Sequence, residues 1–275
     1  MNNLKILVCA HIQIELPLSN SFLPIQVGAA LTELNLGYQT DDVGENISFK
    51  NKNYCELTAL YWTWQNTKDA TYVGLCHYRR FFVSGFKRSL FTKIDSINPL
   101  DVEPKKLDLS ISANHLHKYD FILGEPLVLN TSLADDYAFY HNKADFDILR
   151  EVISEKSKDY LNSFDAFFYK TNSYSPYNMF ITDKKKLDDY CTWLFTILFE
   201  MEKRVTISKD DYQARIFAFL GERLLNLYVY HNNYKVKYLP IIKIGEDKRV
   251  NKIVFHFKKI AHNFIFKTSM LKAFL

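Results

Sequence analysis

Apolar residues in this chain fall into short unbroken runs that alternate with longer stretches where they recur every three or four positions. Leu4–Ala10 is the first run and predicts a buried strand. A loop punctuated by Pro17 and Pro24 follows, residues 25–34 predict a short helix, and residues 37–52 are polar and turn-rich. Leu57, Leu60, Tyr61 and Trp64 share one face of a helix predicted over residues 54–66. Asn53 and Glu56 have the spacing of a capping pair at its start. Trp62 points away from that face, whereas Trp64 belongs to it and is expected in the core.

Residues 71–76 form a β-rich run that ends abruptly in His77-Tyr78-Arg79-Arg80. Further strands are predicted over residues 119–123, closed by Pro126, and over 177–182. Residues 131–170 read as mainly helical. A strong helix is predicted over 185–203, with Leu187, Tyr190, Leu194 and Leu198 on one face. The next helix, 214–230, is apolar nearly all round and is expected to be buried. A last strand spans 238–244, and Pro240 inside it argues for a sheet edge. Strands alternating with helices predict an α/β fold: a central, mostly parallel sheet flanked by helices, with ligands at the carboxyl ends of the strands.

The chain has 275 residues, of which 48% are hydrophobic, enough for one sizeable core and too few for two full domains. We divide it into a main domain, residues 1–247, and a basic C-terminal segment, residues 248–275. That segment holds seven Lys or Arg and no acid, which leaves 28 bases against 31 acids in the body. A nucleic-acid binder is not expected, because its body would be basic. The 22 Phe and 18 Tyr suit sugar stacking or a large aromatic core, and the core is the preferred reading. Cys9, Cys55, Cys76 and Cys191 are widely spaced, which suits free thiols in a reducing compartment rather than disulfides or a zinc site. The apolar start is too short for a signal peptide, and no run of about 18 apolar residues suggests a membrane span. A cytoplasmic location is expected.

The strand end at Cys76 is the first candidate for chemistry. Adjacent Arg79 and Arg80 suit a diphosphate, because guanidinium forks match phosphate oxygens two at a time. A surface arginine pair facing carboxylates is the alternative.

Three segments carry a resemblance. They are Asp41-Asp42-x-Gly44-x-Asn46-Ile47-Ser48-x-Lys50-Asn51, Tyr54-Cys55-Glu56-Leu57-Thr58-Ala59-Leu60-Tyr61-Trp62-x-Trp64, and Gly74-Leu75-Cys76-His77-Tyr78-Arg79-Arg80-Phe81-Phe82. Together with Tyr177-Asn178-Met179-Phe180-Ile181 and Gly221-Glu222-Arg223-Leu224, they resemble a bacterial family long catalogued as a domain of unknown function. That family occurs in capsule, exopolysaccharide and O-antigen gene clusters, and some members are galactofuranosyltransferases. The resemblance covers about residues 4–240. It implies a GT-A-like nucleotide-sugar transferase that moves a hexose, galactofuranose first among candidates, from a UDP donor to an undecaprenyl-linked glycan. The alternatives are a UDP-hexopyranose donor on the same fold, or a non-catalytic glycan- or nucleotide-binding partner in polysaccharide assembly.

On this resemblance, His77-Tyr78-Arg79-Arg80 stands where an Asp-x-Asp motif usually holds Mg²⁺ or Mn²⁺, so no cofactor is expected and cationic side chains take the metal's part. Asp41 and Asp42 are the fallback metal candidates. The resemblance implies donor-binding roles for His11, Asp41, Asp42, Asn46, Lys50, Asn51, His77, Tyr78, Arg79 and Arg80. An inverting transfer needs a carboxylate base, for which Glu222 is the candidate and Asp120 the rival. Asn178 and His141 are candidates for acceptor or sugar binding.

In the basic segment, Ile253, Phe257, Ile260, Phe264 and Leu271 fall on one helical face, and Lys258, Lys259 and His262 fall opposite. That pattern predicts an amphipathic helix on an anionic membrane surface, or one packed on the body with its lysines solvated. The first reading makes the protein a peripheral one on the inner face of the plasma membrane.

Overall fold

In a computed structural model, which describes residues 3–17, 19–83, 109 and 111–243, strand β1 (Leu4–Ala10) lies inside a sheet and is buried from Ile6 onward. The other strands are β2 (Phe22–Gln26), β3 (Gln39–Thr40), β4 (Tyr72–His77), β5 (Arg80–Phe82), β6 (Phe121–Gly124), β7 (Leu127–Val128), β8 (Ser173–Tyr174), β9 (Phe180–Asp183), β10 (Val236–Leu239) and β11 (Ile241–Lys243). Their order across the main sheet is β10-β6-β9-β4-β1-β2-β3, with β5 and β11 added beyond the end of β4. Pairs β10–β6, β4–β1, β1–β2 and β2–β3 are parallel, and β9 runs antiparallel between β6 and β4. The sheet is therefore mostly parallel.

Alternation along the strands divides the core. Leu7 and Cys9 of β1, with Val73 and Leu75 of β4, face the larger apolar layer, while Ile6, Val8 and Cys76 face the smaller one. The larger layer is built with α2 (Leu57–Asn66), α4 (Leu133–Tyr140), α5 (Lys143–Lys156), α6 (Leu161–Lys170), α7 (Lys184–Glu202) and α8 (Ile216–His231). Leu116 of α3 (Ala113–Lys118), Phe81, Phe82 and Ile242 belong to the smaller layer. None of the described helices is long and apolar enough to cross a membrane. The basic segment 248–275, with its predicted amphipathic helix, lies outside the described residues.

Four local expectations need correction. Residues 25–34 do not form a helix. Ile25 and Gln26 finish β2, and only Ala29–Leu31 make a turn of 3₁₀ helix, because backbone pairing with β1 holds the first part extended. The helix predicted over 54–66 is broken at Cys55, whose φ is 48°, into α1 (Asn51–Tyr54) and α2. The expected Asn53–Glu56 cap is not formed: Asn53 Nδ2 donates to the carbonyl of Ala214, and Glu56 turns to Asn178. The strand predicted over 177–182 begins only at Phe180, because Tyr177 and Asn178 have φ of 79° and 51°. The last predicted strand is two strands, split at Pro240, with β10 on the sheet edge.

Candidate functional site

Strands β1, β4 and β6 run parallel and end on the same side of the sheet, and a cleft of about 1210 Å³ opens there. Cys9 and His11 reach it from β1, His77 and Tyr78 from β4, and Leu127 and Leu129 from beyond β6. Tyr177 and Asn178 enter from the approach to the antiparallel β9. Residues of α8 and the segment before it, Arg215 and Glu222 among them, complete the lining. This is where an open α/β sheet leaves room for a ligand.

The turn at Tyr177-Asn178 is the most constrained backbone in the cleft. Two consecutive non-glycine residues in the left-handed region cost on the order of 1–3 kcal/mol each, so surrounding contacts must hold them. The Tyr177 N–H donates to Glu222 Oε1, and its carbonyl accepts from His77 Nε2 at 2.5 Å. Asn178 Nδ2 donates to Glu56 Oε1 at 2.6 Å and to the Ala218 carbonyl at 3.1 Å. Asn178 is 2% exposed, and its Oδ1 has no hydrogen-bond partner among the described residues. Gly221 permits this closeness, since a Cβ there would lie 2.7 Å from Leu57 Cδ1 and 3.6 Å from Asn178 Oδ1.

Glu222 lines the cleft on α8, one residue before the buried Arg223. Burial pushes its carboxyl above the usual glutamate range. Arg223, the Tyr177 N–H and Arg80 oppose that shift without cancelling it, and the charge of Glu56 adds to it. Arg223 Nη2 pairs with Asp136 Oδ2 at 2.9 Å, and the Arg223 guanidinium lies 5.1 Å and 5.3 Å from the Tyr137 and Tyr174 ring centroids. Arg223 is thus committed mainly to Asp136, and its Nη1 stands 3.8 Å from Glu222 Oε2. The result is a carboxyl group with raised proton affinity in a cleft, which suits a general base.

Of the two adjacent arginines, Arg80 lines the cleft, 4.2 Å above the Tyr177 ring centroid. Arg79 is exposed, lies over Tyr78 at 4.9 Å and is not part of the lining. Arg79 sits in the two-residue turn between the paired His77 and Arg80, whereas Arg80 opens β5. Lys52 and Arg215 are further cationic lining residues that sequence reasoning missed. Glu56 and Asp136 were missed as well. Glu56 carried no separate signal, since in the sequence it reads as an ordinary cap of a continuous helix.

His11 lines the cleft and meets Tyr78 edge to face at 4.8 Å. Burial, then Arg79 and Arg215, lower its pKa. His141 also lines the cleft, stacked on Phe219 at 4.2 Å and bonded through Nδ1 to Gln213 Oε1 at 3.0 Å. Burial is the main cause of its lowered pKa. Asn51 lines the cleft while donating to the Cys55 carbonyl and the Thr58 hydroxyl. Burial and Glu56 push the Cys55 thiol up to about 12.

The remaining expected residues stand elsewhere. Asp41 is fully buried and saturated: it accepts from the Gly28 and Ala29 N–H groups at 2.9 and 3.0 Å, and from the Ser48 and Thr58 hydroxyls at 2.5 and 2.6 Å. It ties a loop together and presents nothing to a donor or a metal. Asp42 is exposed and does not line the cleft, and its carbonyl accepts from Asn46 Nδ2 in a turn that Asn46 closes. Lys50 pairs with Glu202 and leans on the Phe199 ring at 5.3 Å, also outside the lining. Asp120 sits at the opposite end of β6, where Lys186 and the Lys235 N–H hold its carboxylate, so it is no rival to Glu222. Among the described residues, no three of His, Cys, Asp or Glu gather as a group that could hold a metal ion.

The family model described as "Domain of unknown function (DUF4422)" matches residues 5–233. Among solved structures, the chain is similar to one described as the apo structure of the WbbM bifunctional glycosyltransferase, with 25% identity and a TM-score of 0.77. The likeness covers 89% of this chain and 46% of that one, so the chain spans about half the length of that protein. No curated protein matches the chain significantly.

Proposed function

Given that the chain belongs to the DUF4422 family, we propose that it is a glycosyltransferase that moves a hexose from a UDP-sugar, galactofuranose being the first choice, onto a lipid-linked surface glycan with inversion. The observation that carries this reading is Glu222: a carboxyl of raised proton affinity lining a cleft at the carboxyl ends of the sheet, with Arg80 in the same lining. Likeness to a glycosyltransferase over 89% of the chain supports the same class.

In the proposed step the acceptor hydroxyl oxygen attacks the anomeric carbon, and its proton passes to a Glu222 carboxylate oxygen. The bond from that carbon to the UDP oxygen breaks, and its electron pair leaves on the β-phosphate. Arg80, helped by Lys52 and Arg215, neutralises the charge that grows there, the part a divalent metal takes in other transferases. Asn178 borders the cleft with its amide committed to Glu56 and the Ala218 carbonyl, and its Oδ1 is buried without a partner among the described residues. His11 and Tyr78 offer ring faces and edges for the uracil end.

The reading extends to residues 248–275, whose seven bases would hold the protein to an anionic membrane bearing the acceptor. The direct test is release of UDP from UDP-galactofuranose and from UDP-galactopyranose, with a galactoside acceptor, in the presence and absence of EDTA. Turnover of the furanose donor, unaffected by EDTA, is expected. Turnover of the pyranose donor alone reassigns the sugar, loss of activity in EDTA sinks the metal-free step, and no turnover of either donor sinks the transferase reading.

A further inference from the structure

A second cavity of about 510 Å³ adjoins the main cleft, and the two share Tyr140, His141, Ile207, Ser208 and Phe219 as lining. It lies between the end of α4, the start of α5 and the segment before α8. Its rim is aromatic and open. Phe139 is 80% exposed and Tyr140 60%, and their rings meet edge to face at 4.9 Å. Two large rings side by side in water lack the burial that keeps such residues inside a core. Next to them His141 and Phe219 stack at 4.2 Å, with Tyr212, itself half exposed, 5.1 Å from Phe219. Aromatic faces thus run from the main cleft into the side cavity.

Polar groups converge on the same cavity. Asp145 lines it and is 8% exposed. One carboxylate oxygen accepts from the side-chain Nδ2 of Asn142, the residue that caps α5, at 3.2 Å. Burial raises the carboxyl's pKa, a sign that its charge is incompletely compensated. Ser208 and Gln213 add hydroxyl and amide groups to the lining. Ring faces beside a carboxylate and an amide are the chemistry that recognises a sugar: C–H groups lie on the ring while hydroxyls donate to the carboxylate.

We propose that this side cavity binds the acceptor glycan beyond the sugar that is modified, with Tyr140 and Phe139 as stacking platform and Asp145 as hydroxyl acceptor. The proposal rests on the transferase reading of the main cleft and deepens it. It makes the enzyme a reader of acceptor length: a monosaccharide occupies only the main cleft, whereas a longer chain also gains the side cavity.

Two measurements test it. The first is saturation-transfer NMR without donor, using methyl galactoside and a galactotriose as probes on the full chain, with Phe139→Ala, Tyr140→Ala and Asp145→Asn as variants. Wild type is expected to contact at least two rings of the galactotriose, and each variant to weaken its binding about tenfold. The second is the ratio of kcat/KM for galactotriose over methyl galactoside, which should exceed one in wild type and fall about tenfold in Tyr140→Ala. Contact confined to one terminal ring, or a ratio that survives in all three variants, overturns the side-cavity assignment. Galactotriose binding that depends on Tyr140 in a protein without turnover would keep the cavity as a glycan site and overturn only the transferase reading. Circular dichroism and melting of Asp145→Asn, whose carboxylate also contacts the helix cap, separate a folding defect from a binding one, and Phe139→Ala, at an exposed ring, carries the test if Asp145→Asn unfolds.

Discussion

Asn178 Nδ2 donates to Glu56 Oε1 over 2.6 Å, joining the residue before α2 to the turn that leads into β9. The two positions are 122 residues apart in the chain. Their bond fixes a left-handed asparagine between two carboxylates of the cleft, since Glu56 also raises the proton affinity of Glu222. Glu56→Gln should therefore lower the pKa of Glu222 and shift the acid limb of kcat/KM to lower pH, with folding retained. An unshifted limb would mean that the Glu56 charge is not felt at the proton acceptor.

Glu222→Gln should reduce kcat by about 10²–10⁴-fold while UDP still binds, because it removes the proton acceptor and keeps the oxygen that receives the Tyr177 N–H. The pH sign follows from the raised pKa. The folded state holds this proton more tightly than the unfolded chain does, so the contribution to stability is present at low pH. It is lost as pH rises through the folded pKa. Glu222→Gln should thus melt no lower than wild type at neutral pH, whereas activity in wild type rises as the same group ionises. A variant with full turnover excludes Glu222 as the base.

Arg80 and Arg79 should separate cleanly. Arg80→Ala is expected to weaken UDP binding by tenfold or more, on the order of 1.5–3 kcal/mol for a charge-assisted contact. Arg79→Ala, at an exposed position outside the lining, should change it less than threefold. Calorimetric titration with UDP decides it, and equal losses in both variants would place the diphosphate across both arginines.

Asp41 should prove to be a residue of stability. Asp41→Ala leaves two backbone N–H groups and two hydroxyls without their shared acceptor in a fully buried place. A loss of about 3–5 kcal/mol is expected, seen as a melting temperature lower by roughly 10 °C. Unchanged melting with lost UDP binding would return Asp41 to the donor site.

Residues 248–275 should carry membrane affinity. Vesicles containing about 30% anionic lipid should sediment with the full chain at low salt, and Lys258→Glu with Lys259→Glu should abolish this, because each base near such a surface is worth about 1 kcal/mol. Retention of the double variant on vesicles would assign the attachment to another part of the chain.

The sequence by itself determined the elements whose apolar pattern is local and strong. Leu4–Ala10 is the first strand as its unbroken run requires. Helices α7 and α8 lie within two residues of their periodic stretches, and the four cysteines are free thiols. It also pointed to the strand end at His77, because an abrupt change from apolar to basic residues at the end of a central strand is visible in one dimension. What only the tertiary structure decided is which polar side chains share the cleft. Asp41 and Glu56 look alike as acidic residues in or beside turns, yet one is sealed among four donors and the other reaches Asn178. Arg79 and Arg80 are neighbours in sequence, yet one faces outward and the other the cleft. The left-handed pair at Tyr177-Asn178 is held by contacts spanning from 40 to 122 residues of chain. Propensity acts over a few neighbours, whereas burial and the pairing of polar groups depend on segments that meet only once the sheet has assembled.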